Sequence, residues 1–305
     1  MDALSSLLNL IRLKSVVYTR VTFAAPWGVD IPAGPNAQFR LIVSGNCVLH
    51  TSERGLMPLH SGDMIFFPHG EAHWLADTSD SPRRDGPALL AAVQAGQPVF
   101  DGPGETTTMI SGHVEFDRSS QHPFLTALPP FIYITDTDRR ALARLEQTSE
   151  FLMDEVQANR MGSQLVVSRL AEVLFINTIR AYVEQTHEDK SFLTALRDEH
   201  ISQVLKGIHD QPDRNWTLAD MAKEAGLSRT LLANRFRNLV GETPIGYLTT
   251  WRMLKAKELL NSTPDLISDI ALRVGYQSEA AFNRVFKKRL NQTPAAYRRS
   301  MQYQR

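Results

Sequence analysis

The feature that most constrains the fold of this 305-residue chain is a helical unit that occurs twice near the carboxyl end. Residues 219–252 and 270–299 align with an offset of 49 residues before the second helix of each copy and 50 after it begins. The matched pairs are Ala222 with Ala271, Gly226 with Gly275, Phe236 with Phe286, Thr243 with Thr293, Pro244 with Pro294 and Tyr247 with Tyr297. Self-similarity at one spacing indicates that the same supersecondary unit is built twice.

The first copy carries the start and turn signals of two short helices. Thr217 and Asp220 have the spacing of a capping box, which predicts the start of a helix. Gly226 follows that helix and can adopt the positive φ of a tight turn. Ser228 can cap the next helix, which we predict over residues 228–240. A helix, a glycine turn and a second helix together predict a helix-turn-helix.

The second copy repeats this plan, with Gly275 at the turn and a second helix over residues 278–290. Large apolar residues at helical spacing predict the buried faces of the two second helices. These residues are Leu232, Phe236, Leu239 and Val240 in the first copy and Phe282, Val285, Phe286 and Leu290 in the second.

The opposite faces of the two second helices are small, polar or basic. The candidate DNA-binding residues there are Arg229, Thr230, Ala233, Asn234 and Arg237 in the first copy and Glu279, Ala280, Asn283, Arg284 and Lys287 in the second. Small residues would let a helix enter the major groove, where Arg and Asn can pair with guanine and adenine edges. The alternative for each residue is an ordinary solvated helix face.

The segment between the copies indicates why the unit occurs twice. Thr243 and Pro244 suit the cap and the first turn of a helix, and residues 244–262 predict one long helix. Such a helix would hold the two units at a fixed separation. Recognition helices about 34 Å apart would enter successive major grooves on one side of DNA. The duplication therefore predicts that one chain reads two groove segments.

The charge of the chain is divided between its two parts. The net charge is +0, yet residues 1–190 hold 15 Lys and Arg against 22 Asp and Glu, whereas residues 191–305 hold 18 against 11. A basic part next to an acidic part favours a polyanionic partner, here double-stranded DNA. The charge alone would also fit a solvated surface.

Cysteine content and hydropathy exclude several classes of protein. Cys47 is the single cysteine, so neither an internal disulfide nor a cysteine-based zinc site is expected. Residues 1–19 start acidic and lack a cleavage pattern, which predicts a short amphipathic helix rather than a signal peptide. The sequence has no run of 18 apolar residues, so we expect no membrane span. These features favour a cytoplasmic location.

The amino-terminal half has a different pattern. Residues 16–134 contain short apolar runs divided by turn residues, which predict an all-β sandwich or barrel, with a long loop over 77–106. Two helices are predicted over 138–157 and 162–185. The second carries an apolar stripe of Leu165, Val166, Leu170, Val173, Leu174 and Ile176 or Asn177. The stripe fits packing on its own domain or pairing with a second copy, and we expect a homodimer.

Residues 197–299 resemble the DNA-binding domain of the AraC/XylS family of bacterial transcription regulators. The resemblance is carried by Ile270, Ala271, Gly275, Tyr276, Ser278, Phe282, Arg284, Phe286, Lys287, Thr293, Pro294, Tyr297 and Arg298. It implies a sequence-specific, DNA-binding transcription activator with RNA polymerase as a partner. The chain departs at Asn291, where the family usually has Gly, but Asn tolerates a left-handed backbone. Asn234 stands where Arg is common, which leaves the base preference of the first helix open.

The stretch "GDMIFFPHGEAHWLAD" resembles the second motif of cupins, which are small β-barrels with an internal pocket. Gly62, Pro68, Gly70 and His73 carry this resemblance. Cupin enzymes add a first motif with paired His and a Glu that completes a metal site, and this sequence has no His-x-His pair. A catalytic metal needs about three protein ligands. We therefore expect no metal, no cofactor and no catalytic residue.

More of the amino-terminal half resembles the cupin-like sensor domain of one subgroup of AraC-type regulators. The matching segments are residues 26–32, 39–49, 58–75 and 122–134. The resemblance implies that the barrel senses a small-molecule or chemical effector and that the helical pair transmits the signal or dimerises. The candidate effector-pocket residues are Trp27, Arg40, His73, Trp74 and His113.

Together these patterns predict an α+β protein. Residues 1–137 would form a cupin-like sensor β-barrel, 138–190 a helical dimerisation or linker region, and 191–305 a DNA-binding domain with two helix-turn-helix units. The predicted function is transcription regulation controlled by a signal at the barrel. Two alternatives are a cupin-type metalloenzyme with a helical appendage and an architectural protein that binds DNA without sequence preference.

Overall fold

The computed structural model describes residues 2–11, 14–115, 122–134, 139–158, 160–185 and 192–302. The strands of this part of the chain are β1 (Lys14–Ala24), β2 (Gly28–Ile31), β3 (Ala37–Ser44), β4 (Asn46–Thr51), β5 (Gly55–His60), β6 (Met64–Phe67), β7 (His73–Ala76), β8 (Arg84–Asp85), β9 (Thr106–Glu115) and β10 (Ile132–Ile134). The helices are α1 (Ala3–Ile11), α2 (Gly86–Gln94), α3 (Pro123–Thr126), α4 (Arg139–Ala158), α5 (Ser163–Gln185), α6 (Phe192–Arg197), α7 (Glu199–Asp210), α8 (Leu218–Glu224), α9 (Arg229–Val240), α10 (Pro244–Ser262), α11 (Ile267–Arg273), α12 (Glu279–Leu290) and α13 (Pro294–Gln302).

The chain divides into two compact units, and each contains more than one stretch of sequence. The sheet unit consists of the described parts of residues 13–117 and 128–186. The helical unit consists of the described parts of residues 1–12, 118–127 and 187–305. The predicted boundary at residue 137 differs from this division. Helices α1 and α3, which we expected in the barrel domain, pack with the carboxyl-terminal helices instead.

The sheet unit contains two five-stranded sheets, with strand orders β1-β9-β3-β6-β10 and β5-β4-β7-β2-β8. Only the β2–β8 pair is parallel among the strands described. Inward-facing residues of both sheets, such as Ile42 and Phe67 of the first and Leu49 and Leu75 of the second, join one hydrophobic cluster. The two sheets therefore enclose a common core, as the predicted β-barrel requires.

Helix α5 covers the other face of the first sheet. The Thr178 hydroxyl lies 3.5 Å from the Met64 sulfur, and the Phe66 and Phe175 rings are 5.3 Å apart. Leu174, one residue of the predicted stripe, is buried in this packing. Leu165, Val166 and Val173 are exposed. The stripe thus divides into a part that packs on its own unit and a part that faces outward.

The predicted loop over residues 77–106 contains strand β8 and helix α2, so the loop prediction was wrong there. The Asp85 carboxylate caps α2 by accepting a hydrogen bond of 3.0 Å from the Ala88 N–H. Pro87 stands in the first turn, where its missing N–H costs nothing. Buried Leu89 fixes the helix against the core.

In the helical unit, the local signals of the duplicated sequence form as predicted. Thr217 and Asp220 make a reciprocal capping box. Gly226 and Gly275 adopt φ values of 63° and 87° at the two turns. Asn291 ends α12 in the left-handed conformation with φ of 56°, which confirms that Asn can replace Gly there. No described helix is both long and apolar enough to cross a membrane.

The predicted inward faces of α9 and α12 form the two cores of this unit. Leu232, Phe236 and Val240 are buried in the first copy, and Phe282 and Phe286 in the second. Leu239, Val285 and Leu290 are partly buried at the edges. Burying one such side chain stabilises a fold by about 1.5–3 kcal/mol relative to its exposure. The buried faces fix which side of each helix remains in solvent.

Candidate nucleic-acid interface and sensor pocket

Helix α9 presents the predicted polar face of the first copy. The Ser228 hydroxyl caps it by accepting a hydrogen bond of 3.2 Å from the Leu231 N–H. The side chains of Arg229, Thr230, Asn234 and Arg237 are exposed, and Ala233 is partly buried. Thr230, Asn234 and Arg237 lie away from the buried Phe236 side of the helix, so their polar groups are available to a partner. Arg229 lies seven residues before Phe236, on the same side of the helix, and is exposed in the first turn.

Helix α12 presents the same face in the second copy. Ser278 caps it by accepting a hydrogen bond of 3.2 Å from the Ala281 N–H. The side chains of Glu279, Ala280, Arg284 and Lys287 are exposed, and Asn283 is partly buried. The Asn283 amide nitrogen lies 3.4 Å from a Glu279 carboxylate oxygen, so these two neighbours on one helix face interact.

The two faces correspond position by position with an offset of 50 residues. The corresponding pairs are Arg229 with Glu279, Thr230 with Ala280, Ala233 with Asn283, Asn234 with Arg284 and Arg237 with Lys287. The α9 face has two arginines and no acid, whereas the α12 face has two basic residues and one acid. The copies therefore share a backbone plan and differ in chemistry.

One basic residue of α9 is used inside the protein. Arg235 donates from Nε to a carboxylate oxygen of Asp198 at 2.8 Å, and Asp198 also caps α7. Burial alone would raise the pKa of Asp198, but the N–H of Ile201 and the Arg235 guanidinium outweigh burial and hold that pKa below its usual value. Arg235 thus ties α9 to α7, a role that its position in the helix pattern did not indicate.

Helix α10 joins the two helix-turn-helix units. It has 19 residues and begins at the predicted Thr243 cap with Pro244 in the first turn. At 1.5 Å per residue, such a helix is about 28 Å long. Trp251 and Leu254 are among its buried residues, so the helix is anchored along its length rather than exposed as a linker.

The sheet unit contains a partly open cavity of about 390 Å³ between its sheets. Its polar lining residues are Asn36, Gln38, Arg40, Ser111 and His113, and most other lining residues are apolar. Helix α2 contributes Pro87, Leu89, Leu90 and Val93 to one wall. This wall was not expected from the sequence, because the segment was predicted to be a loop.

Arg40 is the only Lys, Arg, Asp or Glu among the described residues that line the cavity. Its guanidinium donates to the Phe39 carbonyl at 2.7 Å and to the Gln38 side-chain oxygen at 2.8 Å. These bonds fix the orientation of a charge that is mostly buried. The cavity is therefore an apolar chamber with a positive charge on one strand.

His73 of the cupin motif lies in the core beside this chamber but is not one of its lining residues. Its Nδ1 donates to the Glu71 carbonyl at 2.8 Å, and its ring stacks on Phe67 at 3.8 Å. Burial, followed by the nearby Arg40 charge, lowers the pKa of His73 to about 3, with the Glu71 carbonyl acting in the opposite direction. The imidazole is therefore neutral at ordinary pH.

The two tryptophan candidates lie elsewhere. Trp27 is fully buried against Phe23, with ring centroids 5.1 Å apart, and is not among the lining residues of the cavity. Trp74 lies on the sheet face opposite Leu75, stacked on His50 at 5.1 Å, with Arg83 over its ring. Of the five predicted pocket residues, only Arg40 and His113 line the cavity. Trp74 does not, because alternate residues of a strand face opposite sides and its neighbour Leu75 faces the cavity.

Within the part of the chain that the structure describes, no group of three or more His, Cys, Asp or Glu residues could hold a metal ion. Cys47 is buried, and burial together with the Asp63 charge raises its pKa to about 12. Its sulfur is therefore a neutral thiol packed in the core.

Comparison with known proteins agrees with both units. The cupin family model matches residues 2–184, and a helix-turn-helix domain model matches residues 221–300. The chain is 30% identical to a putative AraC-like transcription regulator of Streptomyces antibioticus, over 98% of this chain and 99% of the relative. It is 29% identical to the regulator AlkR of Acinetobacter baylyi, over 98% and 99%, and 24% identical to the activator RclR of Escherichia coli, over 98% and 97%. These relatives are transcriptional regulators rather than enzymes, and the chain belongs to the AraC family of DNA-binding transcription regulators with an amino-terminal cupin domain.

Proposed function

We propose that α9 and α12 enter two successive major grooves and read two segments of one DNA site. The observation that carries this proposal is the pairing of two exposed, corresponding polar faces on helices whose opposite faces are buried. Helix α10 lies between the copies and is anchored in the same unit. A chain built in this way can read both segments without a partner supplying the second helix.

The individual side chains suit different parts of such a site. Asn234 and Arg284, which occupy corresponding positions, can pair bidentately with adenine and with guanine. The small side chains of Ala233 and Ala280 leave room for close approach to the bases. Arg229, Arg237 and Lys287 can neutralise phosphates or contact base edges, which gives affinity that decreases with salt.

Selection of binding sites from random double-stranded DNA by the full chain tests this proposal. We expect one enriched motif with two segments whose centres lie about 10 base pairs apart, which is one helical turn. Binding to that motif should exceed binding to random DNA by at least about a thousandfold at physiological salt. Enrichment of no motif, with equal binding to all sequences, would favour an architectural protein instead.

The chamber in the sheet unit supports a further proposal, that a small-molecule effector binds there. Its walls suit a mostly apolar molecule with an oxygen acceptor or a negative charge that faces Arg40. A thermal-shift screen can find such a molecule, because a ligand that binds the native state raises the melting temperature. The shift should disappear in Leu90→Trp, which fills the chamber from α2; an unchanged shift would place the ligand elsewhere.

We also propose that the chain forms a homodimer, acts in the bacterial cytoplasm and activates transcription through RNA polymerase. The dimer is supported by the exposed Leu165, Val166 and Val173 on α5. Activation is supported by the similarity to RclR, which is a transcriptional activator. In vitro transcription from a promoter that carries the selected motif tests it: more transcript supports activation, and less transcript would identify a repressor.

A further inference from the structure

A short segment of the amino-terminal half is part of the core of the helical unit. This docking segment, residues 122–127, contains α3 and packs against α6. His122 and Phe124 are both 0% exposed. The segment follows β9, which lines the effector chamber through Met109, Ser111 and His113. The segment thus follows a strand of the sheet unit in the sequence and belongs to the helical unit.

The hydrogen bonds of His122 connect the docking segment to helix α10. The Phe124 N–H donates to His122 Nδ1 at 3.0 Å, so Nδ1 carries no proton and Nε2 carries it in the neutral ring. Nε2 then donates to the Tyr247 hydroxyl at 3.2 Å. That hydroxyl can donate its own proton to His209 Nε2 at 2.7 Å. The side chains of His122, Tyr247 and His209 thus form a buried chain of two hydrogen bonds.

The aromatic ring of Tyr247 extends this connection to the first recognition helix. Tyr247 packs edge-on against Phe236 of α9, with ring centroids 5.7 Å apart. Phe124 and Tyr247 both pack on Phe192, each at 6.0 Å. Because Phe236 lies opposite the polar face of α9, a shift of the Tyr247 ring would rotate or tilt that face.

The second copy places its corresponding tyrosine in a different setting. Tyr297 packs edge-on against Phe286 at 5.8 Å, as Tyr247 packs on Phe236. Its hydroxyl accepts a hydrogen bond from Asn261 of α10 at 3.3 Å. The tyrosine–phenylalanine contact is thus repeated, whereas the bond from His122 holds the tyrosine of the first copy.

We infer that His122 is a positioning residue for the first recognition helix, acting through Tyr247 on α9 while the second copy is held separately. This inference rests on the proposed reading of two DNA segments by α9 and α12. It assigns to the docking segment a role in DNA recognition, although the segment lies far from the helix-turn-helix units in the sequence.

The test compares variants of the full chain on the DNA motif that the wild type selects. His122→Asn keeps an acceptor for the Phe124 N–H, because the Asn side chain can cap α3, but it is too short to reach Tyr247. Asn234→Ala first identifies the half of the site that α9 reads. In footprinting titrations, we expect His122→Asn to raise the protein concentration that protects that half from cleavage by about 3- to 10-fold. This is the effect expected from the loss of one hydrogen bond. Protection of the other half at saturation should remain.

Two further variants separate positioning from general stability. Tyr247→Phe should reproduce the half-site defect, and His122→Asn should add little to it in the double variant, because both changes remove the same bond. Tyr297→Phe is the matched control and should spare the α9 half. An unchanged α9 half in His122→Asn, or equal loss over both halves, would overturn the inference. If Asn234→Ala and Arg284→Ala mark no separate halves, the proposed function is wrong and this inference fails with it.

Discussion

Arg252 Nε donates a hydrogen bond of 2.7 Å to the carbonyl oxygen of Pro212, which lies in the connection between α7 and α8. A second donor, Nη2, reaches the Arg214 carbonyl at 2.9 Å. The same guanidinium lies over the ring of Tyr276, next to the turn of the second helix-turn-helix, at 5.5 Å. One side chain of α10 therefore contacts both the segment that precedes the first helix-turn-helix and the turn of the second.

This contact explains why a glycine is needed at the second turn. Gly275 has φ of 87°, a conformation that other residues rarely adopt. A Cβ atom built there would lie 2.6 Å from Arg252 Nη2 and 2.9 Å from the Asp213 backbone. The turn and the arginine thus occupy adjoining space, and the relative orientation of the two units depends on both.

We predict that Arg252→Ala weakens binding to a complete site more than it weakens binding to either half alone. Without the guanidinium, the two helix-turn-helix units are no longer held in the orientation that lets α9 and α12 dock on DNA together. The expected loss on the complete site is about tenfold, since two hydrogen bonds contribute about 1–3 kcal/mol together. Arg273→Ala, which removes an exposed ion pair with Asp265, is the control and should change little. Equal losses on half and complete sites would show that Arg252 does not couple the units.

We predict that Ala280→Glu prevents docking of α12. The side chain of Ala280 is exposed on the proposed groove face, so a glutamate there adds both bulk and negative charge. Binding to the selected motif should decrease by at least about a hundredfold, which is near the upper limit of what one base contact contributes. Gln203→Glu adds the same charge at an exposed position of α7 and should cost little. Wild-type affinity for Ala280→Glu in gel-shift titrations would mean that another face of α12 meets DNA.

We predict that the stability of the chain decreases as the pH falls below neutral, in part through His122. Burial lowers the pKa of His122 to about 3, whereas the unfolded chain has an ordinary histidine pKa of about 6.5. Between these values the unfolded state binds a proton that the folded state does not, so stability rises with pH and levels off above about 6.5. At pH 5 the loss from this one residue is about 2 kcal/mol.

The variant His122→Asn measures how much of this pH dependence comes from His122. It is needed because burial also lowers the pKa values of His73 and His209. The variant should be less stable at pH 7 by the lost hydrogen bond, and its melting temperature should fall less steeply between pH 7 and pH 5. Parallel curves for the variant and the wild type would show that His122 is not protonated on unfolding in this range.

We predict that the exposed stripe of α5 supports self-association. Leu165 is 65% exposed and Val173 is 43% exposed on the side of α5 that faces away from its own sheet. Leu165→Lys combined with Val173→Lys should convert a dimer into a monomer in sedimentation experiments, because both charges would be desolvated in a dimer. Leu56→Lys alters another exposed apolar residue of the same unit and should leave association unchanged. A dimer that survives the double change would place the interface elsewhere.

The elements that the sequence predicts well are those specified by neighbouring residues. The caps at Thr217, Ser228 and Thr243 and the left-handed turn at Asn291 depend on the chemistry of a few adjacent positions. The faces of α9 and α12 follow from helical spacing within each helix. Helix α2 was missed although a signal was present, since Asp85 before Gly86 and Pro87 is a typical helix start.

Other features depend on packing between distant segments. The sequence of residues 122–127 does not reveal that His122 meets Tyr247, because 125 positions separate them. The outward position of Trp74 could have been predicted from the sequence. Its neighbour Leu75 faces the core, and adjacent residues of a strand face opposite sides. Arg40 and His113 lie on two strands that pair with each other, so strand pairing brings two residues that are distant in the sequence to one cavity.

The measurement that tests the central claim most directly is site selection with Asn234→Ala and Arg284→Ala beside the wild-type chain. These residues occupy corresponding positions in the two copies, so each variant removes one proposed base contact. We predict that each relaxes sequence preference in a different segment of the motif, with the segments about 10 base pairs apart, and that each costs about 1–3 kcal/mol at the selected site. Relaxation of the same segment by both variants, or equal loss on selected and random DNA, would contradict the reading of DNA by two helices of one chain.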